Sequence, residues 1–157
     1  VPPGGLKVCL LPKNRNTWGV ALEVWTARVS SKDPDAFDIT RKTGHDAFAP
    51  SWLILTPMID RRRNGHETTE AQWKEYAAAY YKEMQVSRAA NVETWKALLA
   101  RPRVVLTCYC TNHLRCHRTL LARLLEKLGA SFEGELADRK KAQKELFELA
   151  LSLGEED

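Results

Sequence analysis

The sequence predicts an α/β fold: one domain built on a largely parallel sheet with helices against it. Three observations lead there. Short apolar, β-branched runs alternate with longer segments of helical periodicity, the pattern of parallel strands joined by helical crossovers. The 157 residues, 44% hydrophobic and 28% charged, suit one soluble unit that buries a core without disulfide staples. Three of the four cysteines, two of the four histidines and two arginines fall between Cys108 and Arg118. There a buried strand gives way to a helix, which is where open α/β sheets bind ligands.

The elements follow in order. Residues 6–11 (LKVCLL) read as a short buried strand. From Gly19 to Ser30, Val20, Leu22, Val24 and Thr26 recur at period two, which predicts a second strand, broken by Asp33-Pro34-Asp35. A polar connection, AFDITRKTG, leads through Ala49-Pro50-Ser51 to an apolar run, SWLILTPMI, read as a third strand. DRRRNGH (60–66) reads as a loop on its Asn-Gly signal. Thr69 and Gln72 form a capping box, and Trp73, Tyr76, Ala77, Tyr80 and Met84 mark one face of the helix it opens.

A second helix runs from about Asn91 to Ala100, with Val92, Trp95, Leu98 and Leu99 inward, and Pro102 ends it. RVVLTC (103–108) is the clearest strand of the chain. Leu120, Leu121, Leu124, Leu125 and Leu128 then line one face of a helix that Gly129 stops. SFEGEL reads as a last short strand, and Asp138 as the cap of a final helix through about Leu153.

Net charge of +4 and a pI near 8.9 permit a phosphate-bearing partner but fall short of a dedicated nucleic-acid binder. Arg61-Arg62-Arg63 reads as a solvated loop, with nucleic acid as a further candidate partner. Trp73, Tyr76 and Tyr80 read as core, not base-stacking platforms. No stretch approaches the ~20 apolar residues of a membrane span, and no signal peptide is evident. Cys9 lies far from the crowded Cys108, Cys110 and Cys116, a poor disulfide framework. A reduced, cytoplasmic setting is the expectation.

The cluster carries the chemistry. If the strand stays extended, Cys108 and Cys110 point the same way. The loop from Thr111 to Arg115 delivers Cys116, His117 and Arg118 to the first turn of the next helix, whose free N–H groups favour anions and depress thiol pKa values. A helix start prefers acids, yet this one opens on Arg115, His117 and Arg118. That conflict suits a bound phosphate or carboxylate.

The expected site therefore has Cys108, Cys110 and His117 as catalytic residues. Cys116, Arg118, Thr119 and Arg115 would hold the anion, with Arg28 and Arg41 joining from neighbouring strands or loops. The ligand would be a small phosphate-bearing, nucleotide-like compound, and no cofactor is required. The alternative is a non-catalytic module, binding nucleic acid or a protein, whose cysteines are structural or hold zinc or iron. Its ligands would be Cys108, Cys110 and Cys116, with His113 or His117 as a fourth. Adjacent Cys116 and His117 diverge by ~100° if the helix has begun, which argues against their sharing one ion. A rhodanese-like anion loop from Cys110 to Arg115 is disfavoured because it contains no glycine.

LTCYC…CHRTLLARLLEKLGA resembles the signature of the "domain of unknown function 488" family, with weaker likeness at WTARVS, DITRKTG, FAPSW and TTEAQWKEYAAAYYKEM. It spans roughly residues 20 to 135. The resemblance implies a compact, Rossmann-like fold and places Cys108, Cys116, His117 and Arg118 at the family's signature positions. Many relatives carry an acid soon after the first cysteine; here Tyr109 and Cys110 stand instead.

Overall fold

A computed structural model describes residues 20–153. The proposed strand at 6–11, with Cys9, lies outside the described residues, as does Gly19. Among the described residues the sheet has four parallel strands: β1 (Glu23–Arg28), β2 (Ala36–Asp38), β3 (Arg103–Cys108) and β4 (Ser131–Glu135), in spatial order β2-β3-β1-β4. Among the same residues five α-helices accompany it: α1 (Trp52–Arg63), α2 (Glu70–Ala90), α3 (Val92–Leu99), α4 (His117–Lys127) and α5 (Leu136–Leu153). The α/β expectation holds.

β3 sits between β1 and β2, and five of its six residues, Val104 to Cys108, are buried. A parallel strand covered on both faces needs such a continuous apolar run. Its register aligns Arg28 with Cys108 on one side and Asp38 with Thr107 on the other. The carboxyl ends of three strands thus converge beside the cysteines. The main core joins Leu22 and Val24, Val104 and Leu106 to Tyr80 and Met84 of α2, Trp95 of α3 and Leu121 and Leu125 of α4.

Local signals explain most boundaries. Both arms of the α2 capping box are made: Gln72 N donates to Thr69 Oγ1 at 3.2 Å, and Thr69 N to Gln72 Oε1 at 3.0 Å. Gly129 takes φ +104°, and Ala130 N and Gly129 N donate to the carbonyls of Leu125 and Glu126. That paired closure is the Schellman ending, which needs a residue free to adopt positive φ.

Several expectations need correction. SWLILTPMI is not a strand: Ser51 is the N-cap of α1, which carries Pro57 inside it and buries only Met58. A short apolar run does not by itself separate strand from helix; here the run faces a cavity. α1 continues to Arg63, so the three arginines form its last turn, where cations suit the helix dipole, and only Asn64-Gly65 turns. The connection AFDITRKTG contains β2. Val92 is exposed, because as the first residue of α3 it projects past the core that Trp95 and Leu98 enter. α5 starts directly from β4 at Leu136, leaving Asp138 inside its first turn and not at the cap.

Candidate functional site

β3 ends at buried Cys108, and the chain then turns through half-buried Cys110 and a single 3-10 turn (His113–Arg115) into α4. Asn112 caps that turn by accepting Leu114 N at 3.1 Å. Cys116 is the N-cap of α4 and is extended (φ −137°, ψ 145°), so it precedes the helix. Its side chain therefore turns back toward the strand end. The three sulfurs lie within 4.8 Å of one another, with Cys108 and Cys110 Sγ 3.8 Å apart.

His117 completes the group. Its Nε2 is 2.8 Å from the Ile39 carbonyl, which only accepts, so Nε2 carries the proton and Nδ1 presents its lone pair. Nδ1 lies 3.8 Å from Cys108 Sγ and 4.0 Å from Cys116 Sγ. Burial lowers the imidazole pKa and keeps it neutral. His113 is engaged elsewhere, its Nε2 3.3 Å from Asp138 Oδ2.

The thiols are not equivalent. Hydrogen bonds from Cys108 and Cys116, with the Arg62 guanidinium 3.2 Å away, hold Cys110 far below the ordinary thiol range. Cys108, tied to the Cys110 sulfur and buried, is pushed up to about 11. Burial also pushes the Cys116 thiol up. One thiolate with two neutral thiols around it is the arrangement these contacts favour.

Arg118 is fully buried and faces inward. Its Nε and Nη2 donate to the Glu135 carboxylate at 3.3 and 3.1 Å, and Thr26 Oγ1 donates to the same carboxylate at 2.6 Å. Nη1 donates to the Cys110 carbonyl at 2.7 Å and approaches Cys116 Sγ at 3.7 Å. The anion beside Arg118 is thus the chain's own Glu135, and the arginine clamps the loop carrying Cys110. Thr119 likewise braces the turn, its Oγ1 donating to the His113 carbonyl at 2.6 Å.

In front of the sulfurs lies a cavity of about 820 Å³. Cys108, Cys110, Cys116 and His117 line it, with Arg41, Lys42, Arg62 and Arg115 among its cations. Arg41 is paired with Asp46, and Arg115 with Glu70 at 2.6 Å. Arg115 also lies over the Trp73 ring, and its Nη1 is buried without a hydrogen-bond partner. Arg28 is exposed, and neither it nor Arg118 is among the cavity-lining residues. Trp52, Leu55, Ile59 and Arg62, spaced three, four and three along α1, supply one wall, and Tyr76 of α2 another.

A loop from Thr40 to Lys42 forms the rim, held by Asp38. Its carboxylate accepts Thr40 N at 2.8 Å and Thr43 Oγ1 at 2.6 Å, while Thr43 Oγ1 meets Tyr109 Oη at 3.1 Å. Gly44 is required here, since a Cβ would collide with the Asp38 backbone oxygen.

Sequence reasoning therefore found the sulfurs and His117 but missed Arg62, Glu135 and the α1 wall. A helical reading of SWLILTPMIDRRR would have placed Trp52, Leu55, Ile59 and Arg62 on one face. Nothing local marks Glu135, whose partner lies 17 residues back in the chain.

These features define a class: a parallel α/β protein with a thiol–imidazole cluster at a strand's carboxyl end, facing a cation-rimmed cavity. The chain belongs to the DUF488 family, for the family model described as "Active DUF488-N3 subclade" (DUF488-N3a) matches residues 12–129. Neither the curated proteins nor the solved structures give a match.

Proposed function

We propose that the protein is an enzyme acting on a small phosphate-bearing, nucleotide-like ligand, with Cys110 as its nucleophile. The observation that carries this reading is the Arg62 guanidinium, 3.2 Å from Cys110 Sγ inside the cation-rimmed cavity. A guanidinium offers five N–H donors, so Arg62 can hold a phosphate oxygen while it still faces the sulfur. That places a ligand's phosphate-bearing end beside the thiolate, the proximity a bimolecular step lacks in water. Lys42 adds charge at the rim, and Trp52, Leu55, Ile59 and Tyr76 offer an apolar surface for a flat ring.

The chemistry is nucleophilic. Cys110 Sγ supplies the electron pair of a new bond to an electrophilic atom of the ligand. The displaced group leaves with the old bonding pair and takes a proton from solvent in the cavity. Water or a second nucleophile then releases the ligand from sulfur, and a strongly stabilised thiolate is a good group to expel. His117 is neutral, with Nδ1 toward the thiols, so its part is to accept a proton and not to donate one. Arg118, satisfied by Glu135, positions the loop and does not touch the ligand.

Thermal denaturation with nucleoside mono- and diphosphates, inorganic phosphate and uncharged nucleosides tests the reading. The phosphorylated compounds stabilise the chain, nucleosides do so less, and Arg62→Ala loses the effect. A parent protein that none of these anions stabilises defeats the proposal.

A further inference from the structure

We infer that Cys108, Cys110, Cys116 and His117 Nδ1 form a four-ligand site for a soft divalent ion of the zinc class, which masks Cys110 when bound. Only the masking clause rests on Cys110 being the reactive thiolate; the site itself stands on geometry. Zinc takes sulfur at about 2.3 Å and imidazole nitrogen at about 2.0–2.1 Å in a tetrahedron, so its donors sit about 3.8 Å (S–S) and 3.5 Å (S–N) apart. Here Cys108 and Cys110 Sγ are 3.8 Å apart, and Nδ1 is 3.8 and 4.0 Å from Cys108 and Cys116 Sγ. Those three separations lie within about half an ångström of the ideal, and Cys116 Sγ, within 4.8 Å of the other two sulfurs, has up to about 1 Å to close around an ion.

The extended backbone at Cys116 removes the objection that neighbours on a helix diverge, because the helix begins after it. The outer contacts also fit. A metal-bound histidine usually gives its second N–H to a carbonyl or carboxylate, which fixes the tautomer; Nε2 meets Ile39 O at 2.8 Å. Three thiolates on a divalent ion leave one net negative charge. Arg62 lies 3.2 Å from Cys110 Sγ and Arg118 3.7 Å from Cys116 Sγ, so N–H donors and positive charge are already placed there. All four donor residues line the cavity, which gives the ion a way in. Four protein donors close the tetrahedron, and a closed site holds an ion without activating water.

The test is a Co(II) titration of the full chain, prepared reduced and metal-free, followed by Zn(II) competition. Saturation at one Co(II) per chain is expected, with sulfur-to-cobalt charge transfer, intense tetrahedral visible bands, and displacement by Zn(II). His117→Ala shifts those bands and weakens binding at least ~10-fold, as loss of a ligand must exceed loss of an outer contact. Cys9→Ser leaves the signal unchanged. Should the site variants misfold, the parent chain still decides: one equivalent of Zn(II) must slow iodoacetamide labelling of Cys110. Absence of a tetrahedral Co(II) spectrum, or labelling indifferent to Zn(II), overturns the site. Nucleotide stabilisation of the metal-free chain is read separately. Its failure beside an intact Co(II) signal removes the enzyme reading alone.

Discussion

At the amino end of β3, Arg103 donates to Asp33 at 2.7 and 3.0 Å and to Asp35 at 2.9 Å, with Glu23 3.7 Å away. At the carboxyl end of the same strand, Arg118 is sealed against Glu135, while Arg62 reaches a cysteine sulfur at the mouth of a cavity. The first end matches an arginine to carboxylates in partial contact with solvent. The second uses one arginine to fix a loop and leaves another beside a thiolate, without a carboxylate of its own among the described contacts. Charge that is answered by carboxylates builds structure; charge set beside a polarisable nucleophile is available for chemistry.

Substitutions sharpen that contrast. The largest effect belongs to Glu135→Ala, which strands a buried guanidinium and removes the acceptor of Thr26. It should cost about 3–5 kcal/mol in chemical denaturation and loosen the loop held through the Cys110 carbonyl. A cost below about 1 kcal/mol, the range of surface pairs, would mean the two ends do not differ as described.

Arg62→Ala comes next and acts on a different quantity. Stability without ligand should fall by much less than in Glu135→Ala, because Arg62 is exposed and only shares in holding the Cys110 thiolate. The ligand-induced term, about 2.7 kcal/mol at a hundredfold excess over Kd, should vanish in thermal denaturation. Iodoacetamide labelling of the variant should also need higher pH, since a cation beside the sulfur has been removed.

Arg103→Ala should cost only about 0.2–1 kcal/mol, because its pairs are partly exposed and screened. The smallest effect is its pH dependence. The hydrogen bond from Arg103 holds the Asp33 carboxyl below its usual value. A depressed carboxyl contributes stability above its unfolded pKa, near 3.9, and loses it as pH falls through the folded value. The parent should therefore lose more stability than Arg103→Ala between about pH 5 and 3. Parallel denaturation curves over that window would show that the pair contributes nothing.

How much could be read in advance depends on the range of the interactions. Capping residues, Gly129 and the leucine face of α4 act within one or two turns, so residue types alone place those elements. RVVLTC needed both faces buried, and a continuous apolar run says so. SWLILTPMI carries no core periodicity because Trp52, Leu55 and Ile59 of α1 line a cavity, Leu53 is exposed and only Met58 is buried. β2 is only three residues long and is defined by pairing with β3 at a sequence separation of 69. Among the described residues no helix is long and apolar enough to cross a membrane.

Local chemistry in the sequence determined the α/β class, the strand-to-helix turn at the cysteines and the family. Those follow from periodicity, breakers and a compact motif. Tertiary structure alone decided which cation meets which anion: Arg118 turned inward to Glu135, and Arg62 arrived from a helix not foreseen. The reason is physical. Burial and pairing are properties of distances across the fold, and residues 48 positions apart, as Arg62 and Cys110 are, share no local signal that could announce their contact.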